Sequence, residues 1–161
     1  MPSDYYLLLT GVNGESQAQG MTKNIELDSW SFGASNAADI GGMGLSAGKV
    51  SLQDFSCSFG VDSASPTILQ DLYTGKPIAT ATFTGRKSGG GSTPYNYLVI
   101  VMTNCYITSF QAAGSSAGTP SASMAMAYEQ IKYEYFTQNS ANGQTTNAGN
   151  ATYNIAQVLQ S

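Results

Sequence analysis

Three of the longer apolar stretches in this chain fall out of step with themselves. Ile25 and Leu27 give way to Trp30 and Phe32. Val50 and Leu52 give way to Phe55, Cys57 and Phe59, and Met124, Met126 and Tyr128 to Ile131, Tyr133 and Tyr135. Side chains on a β-strand alternate between two faces, so a strand that buries one face keeps the parity of its apolar positions. A slip of one residue implies a bulge or bend that carries the strand from one surface to another. Strands bent in this way are what a small closed barrel needs. The competing reading is that both sheet faces are buried, one in the core and one against a partner. The run Tyr97–Met102, apolar at each position, points that way. An oligomeric barrel satisfies both readings.

The rest of the chain fits a mainly β domain. Strand-like stretches cover Tyr5–Val12, Asn24–Ser35, Lys49–Asp62, Ile78–Arg86, Tyr95–Phe110 and Ala122–Phe136. One short helix is punctuated at both ends, over residues 66–74. Ser65 suits the N-cap, where a hydroxyl accepts a free first-turn N–H, and Pro66 the first helical position, where a missing N–H costs little. Ile68, Leu69, Leu72 and Tyr73 follow at helical spacing, and Gly75 suits the left-handed stop. Asn36–Ala47 reads as a Gly/Ala/Ser-rich loop and Lys87–Pro94 as a turn. The polar segment 139–152 reads as mobile or loosely ordered, and 153–159 as a short docking element. At 161 residues the chain is expected to be one domain, residues 1–161, with a real core.

Composition excludes several classes of function. Charged residues make up 10% of the chain, against about 25% in an average soluble domain. A surface so poor in charge repels its copies weakly, which favours self-association. The net charge is −4 and Arg86-Lys87 is the longest basic run, so nucleic-acid binding is not expected. The five-residue apolar run Tyr5–Leu9 lacks a basic flank and is too short for a signal peptide. No stretch reaches the ~20 apolar residues of a membrane span. A chain made in the cytoplasm but secreted-looking in composition points to export by a route without a signal peptide. Cys57 and Cys105 sit in apolar strand-like runs and read as small buried residues.

Catalytic chemistry finds little material. With no histidine, Ser-His-Asp and Cys-His catalysis are removed, as is the commonest transition-metal ligand. Two cysteines do not make a structural zinc site. Glu26 and Asp28 share a strand face about 7 Å apart by strand rise, a glycosidase-like spacing, but a solvated strand face is the simpler reading. Gly41–Lys49 (GGMGLSAGK) fails the phosphate-loop pattern, which needs Gly at 43 and Ser or Thr at 50, where the chain has Met43 and Val50. No cofactor, metal site or catalytic residue is expected.

The stretch GKVSLQDFSCSFGVDSASPTIL, followed by Thr74-Gly75-Lys76, resembles the Hcp family, the tube protein of bacterial type VI secretion systems. Gly14-Glu15-Ser16, Ile25–Gly33 (IELDSWSFG), Arg86–Gly90 (RKSGG), Tyr97-Leu98 with Ile100, Tyr133-Glu134-Tyr135 and Tyr153-Asn154-Ile155 extend the likeness, in order, over nearly the whole chain. Phe32 stands where the family has a second Trp. Pro77 stands where members often have His.

The resemblance implies a compact barrel of two packed sheets with one flanking helix, assembled as a homo-hexamer whose rings stack into a tube. A contractile sheath would expel the tube behind a spike protein, with small effector proteins in the lumen. It implies cytoplasmic assembly, secretion without a signal peptide, no nucleic acid and no membrane insertion. It places Ser31 toward the lumen, and the loop holding Gly41, Gly42, Met43, Gly44, Leu45 and Ser46 against the next ring. Three alternatives remain: a phage-like tail-tube protein, a monomeric carbohydrate-binding sandwich that uses surface tyrosines, and a small hydrolase acting through Glu26 and Asp28.

Overall fold

A computed structural model describes residues 3–36, 50–87, 94–138 and 145–155. The strands are β1 (Ser3–Leu9), β2 (Ile25–Leu27), β3 (Ser29–Ser31), β4 (Ala34–Asn36), β5 (Val50–Leu52), β6 (Phe55–Gly60), β7 (Ile78–Lys87), β8 (Tyr95–Ala113), β9 (Ser121–Gln138) and β10 (Thr145–Asn154), with helix α1 (Ser65–Thr74) between β6 and β7. The main sheet runs β2-β1-β7-β8-β9-β6-β3, and β10 pairs with β9. β4 and β5 form a separate two-stranded sheet. Each pairing is antiparallel. The fold is the mainly β, one-helix, two-sheet architecture expected, with the two sheets very unequal in size.

The first parity slip is a change of neighbour. β2 and β3 lie at opposite ends of the main sheet's order, yet only Asp28 separates them in the chain. The chain pairs with β1 through Ile25–Leu27, then with β6 through Ser29–Ser31. The Asp28 N–H donates to the Ser58 carbonyl at 2.8 Å as the chain crosses. The sheet is therefore joined to itself by the backbone at Asp28, with no β2–β3 ladder among the described residues. The second slip, at Gln53-Asp54, separates β5 from β6. There Gln53 N–H donates to the Gly33 carbonyl at 2.8 Å, and the Tyr128 hydroxyl to the Gln53 carbonyl at 2.9 Å.

The third slip belongs to a crease that crosses three strands. Buried positions change parity from Ile78 to Ala81 in β7, from Met102 to Cys105 in β8, and from Tyr128 to Ile131 in β9. The pairs Ile78↔Cys105, Thr80↔Thr103, Thr103↔Gln130 and Cys105↔Tyr128 keep register across it. Its centre is Asn104, in mid-strand at φ 54°, whose Nδ2 donates to Glu129 Oε2 at 2.6 Å. β8 is 19 residues long, about 60 Å if straight, and the crease folds it around the core. Along Tyr97–Met102, Leu98, Ile100 and Met102 are buried while Tyr97, Val99 and Val101 are half-buried, so in the single chain one face is core and the other partly covered.

The core inside this curl is aromatic and aliphatic. Phe83, fully buried, lies 4.5 Å from the Trp30 ring centroid, 5.6 Å from Phe55 and 5.8 Å from Tyr5. Helix α1 packs against β8 and buries Ile68. Its cap differs from the sequence expectation. Ser65 is already helical, and the turn is fixed from Asp62: Asp62 Oδ1 accepts the Ala64 N–H at 2.9 Å, and Ser65 Oγ accepts the Asp62 N–H at 3.4 Å. The N-cap is Ala64, with no side-chain cap bond to the first helical turn, so neither hydroxyl nor carboxylate caps the helix; Asp62 and Ser65 fix the turn that leads into it. Gly75 closes the helix at φ 67°, with its N–H on the Leu72 carbonyl and that of Lys76 on Asp71.

The polar segment expected to be loosely ordered contains strand β10, ten residues long and registered against β9 from Gln138 to Gln130. Backbone pairing holds it although eight of its residues face solvent. Residues 139–144 and 156–161 lie outside the described residues.

The motif Gly14-Glu15-Ser16 has a local physical basis. A Cβ on Gly14 would come within 2.6 Å of the Asn24 carbonyl carbon, so only glycine permits this approach. Glu15 Oε1 accepts the Ser63 N–H at 3.1 Å and so ties the β1–β2 loop to the helix entry. Arg86 holds the same loop to the sheet: Nη1 donates to the Gln19 carbonyl at 2.8 Å, and Nε to Asn96 Oδ1 at 3.3 Å.

Cys57 and Cys105 are buried and unpaired with each other. Burial pushes the Cys57 thiol up to about 12 and the Cys105 thiol up to about 11, from an ordinary 9.0. The unfolded chain therefore loses these protons first. The stability linked to the neutral thiols is whole below pH 9, and falls as pH rises from there toward 12. Native protein at pH 8 should react with a thiol reagent at least tenfold more slowly than urea-unfolded protein. Equal rates in the two states would contradict the burial of both thiols.

Candidate functional site

The strands β3, β6, β9 and the second half of β8 lie side by side, and their outward face is built almost wholly from small polar residues. One row across them reads Ser29, Ser58, Ser123, Gln111; the next reads Ser31, Ser56, Ala125, Ser109. The row between points inward and reads Trp30, Cys57, Met124, Phe110, part of the core or packed against it. The two faces follow from the same alternation: each Ser-x-Ser pair places its hydroxyls outward and the residue between them inward.

These rows line an open recess of about 400 Å³. No charged residue lines it. Ser29 Oγ and Ser58 Oγ are 2.6 Å apart and share a hydrogen bond across the β3–β6 pair. The Asp54 carboxylate accepts the Thr108 hydroxyl at 2.7 Å, where a register shift between Ile107 and Ser109 bulges β8. The surface offers hydroxyl and amide hydrogen bonds without charge, with Trp30, Cys57 and Met124 reaching its floor between the serine rows, which suits a wetted wall more than a tight pocket.

Ser31 lies within this face, exposed, opposite Ser56. Ser31 is the one residue of this face that the family-like segment marks; Ser29, Ser56, Ser58, Ser109, Gln111 and Ser123 join it only through strand register. Their signal was the serine alternation in Ser29-Trp30-Ser31, Ser56-Cys57-Ser58 and Ser121-Ala122-Ser123. Gly41, Gly42, Met43, Gly44, Leu45 and Ser46 lie outside the described residues.

Glu26 and Asp28 are both exposed on the outer surface by β1 and β2, in an open recess they share with Asp4 and Tyr6. Tyr6 is pushed up by its burial and then by the nearby carboxylates of Asp4 and Glu26. Among the described residues no group of His, Cys, Asp or Glu is placed to hold a metal ion, and no helix is long and apolar enough to cross a membrane.

Comparison with known proteins gives a consistent result. The family model described as "Type VI secretion system effector, Hcp" matches residues 6–135. The curated Pseudomonas aeruginosa protein hcp1 is 26% identical over 162 residues, covering 99% of each chain. A solved structure described as a type six secretion system protein superposes with a TM-score of 0.88 at 24% identity, over 97% of this chain and 98% of that one. The crystal structure of Hcp1 from Salmonella typhimurium gives a TM-score of 0.77 at 26% identity, over 98% and 97%.

Proposed function

This chain belongs to the Hcp family of type VI secretion proteins, and from that premise we propose that its serine-lined sheet face is the lumen wall of a hexameric ring. Rings of this kind stack into the tube that a contracting sheath expels behind a spike protein, and small effectors ride inside. The protein is a structural, secreted component in this reading, with no reaction of its own. The loop at 41–46 makes the contact between stacked rings.

The observation that carries the reading is the neutral hydroxyl face on β3, β6, β9 and β8, placed directly behind the core. A cargo channel needs a wall that is wetted, uncharged and free of apolar patches, so that a protein can be held and then released. Carboxylates at Glu26 and Asp28 line a different, open recess with Asp4 and Tyr6, which gives the hydrolase alternative no enclosed site there.

Negative-stain microscopy and light scattering of the purified chain test the assembly: ring-shaped particles are expected, and a stable monomer at high concentration would contradict it. Within rings, Ser31→Gln adds a long amide to the wall beside Ser56. Effector co-purification should then fall about tenfold, the factor that about 1.4 kcal/mol represents, while rings persist. Unchanged effector retention in intact rings would remove Ser31 from the lumen.

A further inference from the structure

Strand β10 is an edge of unusual openness. Among the described residues it pairs with β9 alone. Its sequence, TTNAGNATYN, holds no charge and no proline, and its first eight residues are exposed. Isolated edge strands are normally guarded by lysine, proline, bulges, inward charges or a covering element, because a row of unpaired N–H and C=O groups is a template for another strand, and of these β10 shows only a bulge over its first half. The one irregularity here is a register shift between Asn147 and Gly149, where Asn147 Oδ1 accepts the Gly149 N–H at 2.9 Å and its Nδ2 donates to Asn150 Oδ1 at 2.7 Å. The irregularity ends at Asn150, and the backbone of Asn150–Tyr153 runs in unbroken register with Glu134–Ile131.

From this we infer that the outer edge of β10 is a contact to a second copy of this chain, covered by its backbone in the assembled particle. The inference rests on the ring reading above and adds to it a specific surface. Charge selects the occupant. A neutral strand of hydroxyl and amide residues offers nothing for a basic or acidic partner to recognise, whereas another copy of a chain with 10% charged residues meets it with little repulsion. Edge pairing uses backbone groups, so the polar side chains of β10 do not oppose it.

Hydrogen exchange read by mass spectrometry on the full chain, dilute and assembled, tests the inference. Edge amides without a partner exchange fast, and pairing protects them. Peptides covering 145–153 should slow at least tenfold on assembly. The double variant Thr146→Lys and Ala148→Lys changes two exposed positions and guards the edge; the concentration at which rings form should rise about tenfold, while far-ultraviolet circular dichroism and melting temperature stay close to the parent's. Rings that form with β10 peptides still exchanging at the dilute rate would overturn the β10 contact and leave the ring reading standing. A chain that forms no assembly at all would overturn both.

Discussion

Phe83→Ala should lower the unfolding free energy by about 3–5 kcal/mol, the range for removing a fully buried aromatic ring. Phe83 sits where the two halves of the curled sheet meet. It comes from β7, but its ring neighbours come from three other strands: Tyr5 on β1, Trp30 on β3 and Phe55 on β6. Truncation leaves a cavity that Trp30 and Phe55 cannot both fill, because each is also held by its own strand pairing. Loss of ring stacking adds to the lost burial. Chemical denaturation followed by tryptophan fluorescence reads the effect directly, since Trp30 is the single tryptophan. Tyr73→Ala, at a ring 73% exposed on α1, is the control and should stay within about 0.5 kcal/mol. A Phe83→Ala loss below about 1 kcal/mol would mean that the barrel interior is not organised around this residue.

The second large effect is expected at the crease. Asn104 holds φ 54° in the middle of β8 and bonds Glu129 at 2.6 Å. A β-branched residue tolerates that backbone poorly. Asn104→Val should cost about 2–4 kcal/mol, combining about 1–2 for the left-handed backbone with the loss of a hydrogen bond to a carboxylate. Asn104→Gly keeps the backbone and loses only the bond, so it should cost clearly less. Equal losses for the two variants in denaturant titration would show that the left-handed backbone at 104 is not what bends the sheet.

Both predictions turn on features the sequence reveals unequally. The helix is legible because Pro66 and Gly75 are punctuation that few other structures use, although its N-cap is Ala64 and Ser65 is already helical. The parity slips announce that strands change surface. They do not say how, and the three cases differ: a change of neighbour at Asp28, a break at Gln53-Asp54, and a crease through Glu129. The crease at Asn104 has no apolar signature of its own, because only φ marks it, and asparagine is one of the few residues that adopt it.

β10 escaped the reading for a related reason. Its residues carry no hydrophobic alternation, since the strand is held by its backbone to β9 and shows most of its side chains to water. The serine face was half legible. Ser31 came forward through its place beside Trp30 in a family-like segment. Ser56, Ser58 and Ser123 repeat the same alternation on neighbouring strands, but a polar face leaves no mark until pairing brings the strands together. What the sequence lacked was register, and register is what turns scattered serines into one wall.

The central claim is that this wall lines a ring's channel. Electron cryomicroscopy of the assembled chain, at a resolution that traces strands, tests it most directly. The expected result is a closed ring with β3, β6, β9 and the second half of β8 facing the axis, so that Ser29, Ser31, Ser56, Ser58 and Ser123 border the lumen. A ring in which these serines face outward or lie sealed between subunits would contradict it.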